Sequence, residues 1–145
     1  MKCKTTGELS HEIKSATDIE DYLARNRRHM ELPGLTEHLC ALLSRKGISR
    51  AAVVRGSLLD RSYVYQIFSG AKIPSRDKLI ALSFGLGLSG EEAQALLKLS
   101  GNRELYARDP RDALILFALQ RGRTIFEANE LLACHSLGTL GAPSK

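Results

Sequence analysis

The sequence of 145 residues is short of cysteine and of long apolar runs, and each scarcity excludes a class of protein. Cys3, Cys40 and Cys134 are odd in number and far apart, so a disulfide framework is not expected and a reducing compartment is favoured. No apolar stretch approaches the roughly 20 residues that a membrane span needs. The first residues are polar and lack the apolar core of a signal peptide. These features predict a cytoplasmic protein without a membrane segment.

Motifs that carry catalysis or bind metals are also scarce. The chain has no Walker-type glycine loop and no nucleophile elbow. His38 and Cys40 are two residues apart, so on a helix they point in different directions, and no second pair completes a zinc site. Helix capping explains Asp109, Asp112 and the glutamates at 91–92. We therefore expect no enzymatic activity, no metal and no cofactor.

Acidic residues are scarce in one third of the chain. Between residues 45 and 78, eight arginines and lysines stand against only Asp60 and Asp77, which gives a local charge of +6. The whole chain carries +5, so the remainder sums to −1. A basic excess confined to one segment is expected of a surface that binds a polyanion. An ordinary solvated surface is the alternative.

Strand signals are nearly absent, whereas helix signals recur along the chain. Capping boxes, in which a hydroxyl residue is followed three places later by glutamate, begin at Thr17, Ser89 and Thr124. Asp109 precedes a proline that suits the first position of a helix. Together with the apolar periodicity, these signals predict an all-α protein. The predicted helices cover residues 10–16, 17–29, 35–46, 50–57, 61–68, 75–86, 90–100, 110–121 and 125–134.

Three glycines, Gly47, Gly101 and Gly122, follow helical runs and are predicted to end them, because glycine adopts a left-handed terminal conformation most easily. The sequence shows no clear internal repeat, although the hairpin at 110–134 can be read as a degenerate copy of a helix pair.

The segment 49–68 holds two short predicted helices. In the second, Val64 and Ile67 are candidates for the core, which leaves Arg61, Ser62, Tyr65 and Gln66 facing outward. Arginine and glutamine match the base edges of the DNA major groove, so this face suits base contact. A solvated polar helix face is the alternative.

Residues 50–70 resemble, without gaps, the lambda-repressor-like or Xre-type helix-turn-helix family. The matching residues are Val54, Val64 and Ile67, and the loop 69–74 resembles the family's glycine–basic–proline loop. The leucine-rich run 78–88 resembles the helix that follows. The resemblance covers roughly 35 to 100 and implies a compact five-helix domain with double-stranded DNA as its partner.

The resemblance implies phosphate contacts as well as base contacts. Arg50, Ser69, Lys72 and Arg76 take the positions expected to approach the DNA backbone, with simple solvation as the alternative. In one respect the chain departs from the family: many members carry glycine in the turn, whereas the aligned residue here is Leu58. Gly56 lies two residues earlier, so a shifted or differently shaped turn is expected.

The region 106–132 looks like the C-terminal hairpin of a subset of short Xre-type regulators from Gram-positive bacteria. We therefore divide the chain into an N-terminal helical extension (1–34), a helix-turn-helix domain (35–101), a C-terminal helical hairpin (102–135) and a flexible tail (136–145).

The resulting prediction is a sequence-specific transcriptional regulator that binds a two-fold operator as a homodimer. The alternative is a protein-interaction module that keeps the helix-turn-helix fold and binds a partner through the C-terminal hairpin. The first helix of that hairpin has an unbroken apolar run at 113–119, more than one buried stripe requires. This run is expected to dimerise or to pack against the N-terminal helix around Ile19, Tyr22 and Leu23.

Overall fold

A computed structural model describes Ile19 and residues 34–141, and the latter hold seven α-helices and no strand. The predicted all-α class is confirmed for this part of the chain. Apart from Ile19, the helices predicted at 10–16 and 17–29 lie outside the described residues. The helices are α1 (Leu35–Lys46), α2 (Arg50–Ser57), α3 (Arg61–Ser69), α4 (Arg76–Gly85), α5 (Gly90–Leu99), α6 (Pro110–Gln120) and α7 (Ile125–Cys134).

The helix starts at 90, 110 and 125 follow the predicted capping residues. At the start of α5, the Ser89 hydroxyl accepts from the Glu92 N–H at 3.2 Å, and the Glu92 carboxylate accepts from the Ser89 N–H at 3.0 Å. Thr124 and Glu127 form the same box at α7. The Asp109 carboxylate accepts from the backbone N–H of Asp112 at 3.1 Å, with proline at the first helical position. These caps satisfy donors that the first turn leaves free.

The predicted helix stops are confirmed as well. Gly47, Gly101 and Gly122 all have positive φ, at 64°, 77° and 66°. A left-handed residue lets the last carbonyls of a helix find donors, and glycine has no Cβ to oppose that conformation.

The core is centred on α4, in which six consecutive residues from Leu79 to Phe84 are buried. This helix contacts α2, α5 and α7, and α6 in turn contacts α5 and α7. Burial of each large apolar side chain contributes roughly 1.5–3 kcal/mol. Since α4 is surrounded by neighbours, it fixes the position of α2 and, through α2, of α3.

The contact between α2 and α4 depends on two glycines. A Cβ on Gly56 would lie 3.0 Å from the Cα of Gly85, and a Cβ on Gly85 would lie 2.8 Å from the carbonyl oxygen of Val53. The two backbones therefore approach more closely than any side chain would allow. Gly56 thus serves helix packing and not the turn that follows α2.

Two segments of the chain fold alike at an offset of 35 residues, which corrects the prediction of no clear repeat. The first repeat (residues 76–105) contains α4 and α5, and the second repeat (residues 111–140) contains α7 and all of α6 except its first residue. In the turn within each repeat, Gly87 and Gly122 both have φ 66°. The residues after them, Leu88 and Arg123, both donate a backbone hydrogen bond of 2.9 Å to the carbonyl five residues earlier.

A side-chain amide closes each repeat in the same way. In the first repeat, the Gln94 amide donates to the carbonyl of Leu105 at 2.9 Å and accepts from its N–H at 2.7 Å. In the second, the Asn129 amide donates to the carbonyl of Leu140 at 3.0 Å and accepts from its N–H at 2.8 Å. Both leucines are buried.

An arginine at the start of each repeat fastens the end of the same repeat. Arg76 Nε donates to the carbonyl of Arg103 at 2.7 Å, and Arg111 Nε donates to the carbonyl of Gly138 at 2.8 Å. Each chain segment after the second helix of a repeat is therefore held by an arginine and an amide.

The repeats also exchange ion pairs with each other. Arg76 pairs with Asp112 of the second repeat at 2.9 Å, and Arg111 pairs with Asp77 of the first repeat at 2.9 Å. The arginine of each repeat thus pairs with the aspartate of the other repeat. Such reciprocal contacts between equivalent residues are those of a two-fold interface. The hairpin predicted as a separate domain is thus the near-symmetric counterpart of α4 and α5, within one compact unit that spans residues 35–141.

The chain after α7 differs from the predicted flexible tail. Leu140 is buried in the core and bracketed by Asn129, and a Cβ on Gly141 would lie 2.5 Å from the carbonyl oxygen of Ser57 and 2.8 Å from the Cβ of Leu58. Residues 137–141 are therefore docked beside the end of α2. The rest of the predicted tail, residues 142–145, lies outside the described residues.

Candidate nucleic-acid interface

The segment 49–69 forms two capped helices, and the first of them, α2, packs against α4. The Ser49 hydroxyl accepts from the N–H of Ala52 at 3.1 Å and begins α2. The Asp60 carboxylate accepts from the N–H of Tyr63 at 3.3 Å and begins α3. Between the helices, Leu59 is buried and anchors the connection in the core.

The turn between α2 and α3 keeps its left-handed residue without a glycine. Leu58 has φ 59° and ψ 19° and caps the C-terminus of α2. A left-handed conformation costs an L-residue roughly 1–2 kcal/mol. Leu58 packs half-buried against the core, which offsets part of this cost. The turn is therefore not shifted to Gly56; Leu58 itself takes the conformation that glycine would adopt.

Helix α3 has one buried face and one outward polar face. Val64, Ile67 and Phe68 are buried. On the other side Arg61, Ser62 and Tyr65 are exposed, and Gln66 is half-buried. The four predicted base-contacting residues therefore lie on the same short helix, opposite or beside the residues that attach it to the core.

The Arg61 and Tyr65 side chains are neighbours on this face. The Arg61 guanidinium lies 5.5 Å from the centre of the Tyr65 ring, one helical turn away. Such an arrangement limits the rotamers of both side chains and is worth about 0.5–1 kcal/mol at an exposed site. The ring thus holds the guanidinium along the outward face of α3.

Three of the four predicted phosphate-contacting residues border α3. The Arg50 guanidinium lies 5.8 Å from the centre of the Phe68 ring. The Ser69 hydroxyl donates to the carbonyl of Gln66 at 3.0 Å, and the N–H of Lys72 donates to the same carbonyl at 3.2 Å. The loop that carries Lys72 is therefore wrapped onto the last turn of α3, with the lysine side chain exposed.

Arg76, the fourth predicted phosphate-contacting residue, is instead bound within the fold. Its guanidinium binds both carboxylate oxygens of Asp112, at 3.3 and 2.9 Å, and also the carbonyls of Arg103 and Glu104. Such a bidentate pair uses most of the donors of the guanidinium. The interpretation of Arg76 as a phosphate contact is therefore revised to that of a bond between the two repeats.

Other basic residues of the segment 45–78 also differ in their surroundings. Lys46 and Arg45 donate to the carboxylate of Glu92, at 2.8 and 3.3 Å. The hydrogen bond from Lys46 and that from the Ser89 N–H hold the pKa of Glu92 below its usual value, against the effect of burial. Arg50, Arg55, Arg61 and Lys72, by contrast, are exposed and form no salt bridge with another described residue. These four residues carry the exposed positive charge of the segment 45–78 that no described carboxylate pairs with.

Tyr63, which the sequence left without a role, packs partly buried against the core. Burial raises the pKa of its hydroxyl, and the Lys78 ammonium lies 5.8 Å from the centre of its ring. Tyr63 therefore belongs to the side of α3 that faces α4.

The His38 and Cys40 pair has no ligand geometry. The Cys40 thiol donates to the carbonyl of Phe68 at 3.6 Å, and burial, followed by the charge of Arg45, lowers the pKa of His38. Among residues 34–141, no three His, Cys, Asp or Glu side chains cluster as a metal site would require. In the same part of the chain, no helix has the length and apolar character needed to cross a bilayer.

Sequence reasoning missed several residues that position α3. Asp112 was explained as a capping residue, and its ion pair with Arg76 depends on a contact 36 residues away. Gly56 and Gly85 were not recognised as a packing contact, and Asn129 was not recognised as the anchor of Leu140. The shared dipeptide Arg-Asp at 76–77 and 111–112 was the one signal that could have indicated the exchanged ion pairs.

No protein family, no curated protein and no solved structure matches the chain.

Proposed function

We propose that the chain is a sequence-specific DNA-binding transcriptional regulator of the Xre type, with α2 and α3 as its helix-turn-helix and α3 as the helix that enters the major groove. The observation that carries this proposal is the division of α3: Val64 and Ile67 fix it to the core, while Arg61 and Tyr65 lie exposed on the outward face. A helix of nine residues that presents hydrogen-bonding side chains to solvent, within a basic surface, suits direct readout.

The side chains have distinct roles in this proposal. Gln66 is suited to bidentate hydrogen bonds with adenine, and Arg61 to the two acceptors of guanine. Ser62 and Tyr65 supply further contacts to base edges. Arg50, Ser69 and Lys72 bind phosphates beside the C-terminal end of α3 and fix its orientation without encoding sequence.

Two copies of the chain are expected on a two-fold operator, because one short helix reads only a few base pairs. The protein acts in the cytoplasm as a regulator and not as an enzyme, with double-stranded DNA as its partner.

Selection of bound duplexes from a random pool tests the proposal directly, and we expect a palindrome to be enriched. On that site, Gln66→Ala is expected to reduce the preference over a scrambled duplex by roughly 1–3 kcal/mol, since a bidentate contact is lost. Gln120→Ala, an exposed glutamine on α6, is the matched control and should keep the preference. Equal preference in all three proteins would exclude base reading by Gln66, and the same result for Arg61→Ala would exclude this face of α3 as the reading face.

The salt dependence of binding separates phosphate contacts from base contacts. Lys72→Ala is expected to weaken binding to all duplexes equally and to reduce the slope of log affinity against log salt by about one. Lys98→Ala, an exposed lysine on α5, should leave the slope unchanged. A slope that is unchanged in both variants would exclude a phosphate contact by Lys72.

The second candidate function is a protein-interaction module. The observation in its favour is the exposure of two large aromatic side chains of the second repeat, Phe117 at 42% and Phe126 at 54%. No enrichment of any duplex, together with a purified protein partner that binds the second repeat, would favour this candidate.

A further inference from the structure

One side of the second repeat is open, although four of the six equivalent residues in the first repeat are buried. We call it the open face, and its residues are Phe117, Arg121, Arg123, Glu127, Glu130 and Leu131. Phe117 is 42% exposed, whereas its counterpart in the first repeat, Leu82, is 0% exposed. Leu131 is half-buried, whereas its counterpart Leu96 is fully buried. The same local fold thus leaves an apolar strip uncovered in only one of its two copies.

The first repeat is covered on this side because the rest of the unit is built against it. Its acidic residue Glu92 accepts hydrogen bonds from Lys46 and Arg45 at the end of α1. The counterpart, Glu127, pairs instead with Arg123 of its own repeat at 3.1 Å, with both side chains about half exposed. An exposed pair of this kind contributes little to stability, so either residue can take a partner from another chain.

Two polar residues of the open face stand where the first repeat has buried leucines. Leu86 and Leu88, both buried in the first repeat, are replaced by Arg121 and Arg123 in the second. Phe117 was not replaced by a polar residue, and the Arg121 guanidinium lies 5.1 Å from the centre of its ring. An apolar centre with a charged rim is the composition of an interface that forms between proteins stable on their own.

The charges on the open face are balanced, which restricts the partner. Two arginines, Arg121 and Arg123, lie beside two glutamates, Glu127 and Glu130. A two-fold interface brings one surface against a copy of itself, so it requires both signs within a single patch. A strongly acidic or strongly basic partner would meet like charges on half of the patch.

We propose that the open face is the surface through which a second copy of this chain docks, as an isologous two-fold dimer. Phe117 and Leu131 form the centre of the contact, and the arginines of each copy meet the glutamates of the other. A groove of about 320 Å³, lined by Phe117, Leu131 and Cys134 among others, receives the partner's apolar side chains. The pairing also gives Glu127 a basic partner from another helix, as Glu92 has in the first repeat.

The first experiment measures the mass of the full chain by sedimentation equilibrium over a range of concentrations, without DNA. We expect a reversible dimer, and Phe117→Asp should weaken association about tenfold or more, since a central apolar anchor becomes charged. Phe126→Asp makes the same substitution at an exposed phenylalanine of α7 that does not line the groove, and it should associate as the natural chain does. A chain that is monomeric at every soluble concentration overturns the proposal, as does equal weakening by the two variants.

The second experiment tests the charge pattern. Arg123→Glu alone and Glu130→Arg alone should each weaken the dimer, because each makes the patch less balanced. The double variant restores the balance and should associate more tightly than either single variant. If the double variant is weaker than both, the two charges do not meet across a two-fold axis.

A third measurement requires no change to the apolar centre. Cys134 is exposed at the edge of the groove, so a short bismaleimide should cross-link two copies of the chain through it. Cys134→Ser should abolish the cross-linked dimer, whereas Cys40→Ser should not. Cross-linking that is unaffected by Cys134→Ser counts against the open face. Since none of these measurements includes DNA, their failure leaves base reading by α3 intact, and loss of DNA binding by Gln66→Ala leaves the dimer intact.

Discussion

In the first repeat α4 is buried along six consecutive residues, whereas in the second repeat the equivalent helix α6 leaves Phe117 exposed. The two repeats nevertheless have the same turn and the same capping box. In both, an arginine and a side-chain amide bind the chain segment that follows the second helix. Local hydrogen bonds therefore define the helical hairpin, and the neighbours of each hairpin decide which of its surfaces must be apolar. The exchange of Leu86 and Leu88 for Arg121 and Arg123 illustrates this division.

The exchanged ion pairs offer the sharpest test of this comparison, because one is buried and the other is not. The Asp112 side chain is 3% exposed, whereas that of Asp77 is 53% exposed. Asp112→Ala leaves Arg76 without its partner inside the fold and is expected to cost about 3–5 kcal/mol of the free energy of unfolding. Asp77→Ala is expected to cost about 0–1 kcal/mol. Urea denaturation of both variants measures the difference, and equal costs would show that burial does not distinguish the pairs.

The ionisation of Asp112 determines in part how the free energy of unfolding depends on pH. Burial alone would raise the pKa of Asp112, but the hydrogen bonds from Arg76 and from the Tyr106 N–H outweigh it and hold this pKa below its ordinary value. A depressed pKa in the folded state stabilises the fold above the unfolded pKa, which is about 4, and this contribution disappears as pH falls through the folded pKa.

The free energy of unfolding should therefore decline more steeply below about pH 4 in the natural chain than in Asp112→Asn. Asp77→Asn is the matched control and should keep the steep decline. Parallel curves for all three proteins would contradict a stabilising role for the ionised Asp112.

The side-chain amides of Gln94 and Asn129, which close the two repeats, are expected to contribute nearly equally to the free energy of unfolding. Their contributions should lie between those of the two ion pairs. Asn129→Ala leaves the N–H and carbonyl of the buried Leu140 without partners, and Gln94→Ala does the same to Leu105, so each should cost roughly 1–3 kcal/mol. Amide exchange should accelerate at Leu140 in the first variant and at Leu105 in the second. Acceleration at both sites in both variants would mean that the repeats do not open separately.

The smallest effect concerns the left-handed residue after the second helix of each repeat. The first repeat has Gly101 there with φ 77°, and the second has Ser136 with φ 60°. Ser136→Gly should stabilise the chain by about 1 kcal/mol, and Gly101→Ser should destabilise it by about the same amount. Thermal unfolding of both variants measures the effect. A Cβ on Gly101 would meet no atom within 4 Å, so the change in melting temperature results from backbone conformation and not from a clash. Destabilisation by both substitutions would contradict the equivalence of the two positions.

The sequence predicted much of the α2 to α3 segment but little of what holds it in place. The bounds of the two helices, the inward Val64 and the outward Arg61 follow from rules that involve residues within one or two helical turns. The left-handed conformation of Leu58 could not be predicted. A residue other than glycine adopts this conformation only where surrounding contacts offset the strain, and those contacts come from distant parts of the chain. The resemblance predicts a phosphate contact for Arg76. The residue that Arg76 binds in the structure, Asp112, lies 36 residues along the chain, so no local pattern indicates their ion pair.

The repeat itself was also beyond sequence reasoning. Of the thirty positions from 76 to 105 compared with those from 111 to 140, ten are identical, and these are spread over positions with different roles. The bracketing amide is Gln94 in one repeat and Asn129 in the other, and the capping hydroxyl is Ser89 in one and Thr124 in the other. The hydrogen bonds are the same, but the residues that make them are not.

The sequence by itself determined the all-α class, the bounds of each described helix to within one residue and the polar face of α3, since capping, glycine stops and apolar periodicity act between residues close in the chain. Only the tertiary structure decided that Arg76 binds Asp112, that residues 137–141 dock beside Leu58, and that Phe117 is exposed where Leu82 is buried. Each of these depends on which element lies next to which. That arrangement is set by the joint packing of all the helices, so no short stretch of the sequence contains it.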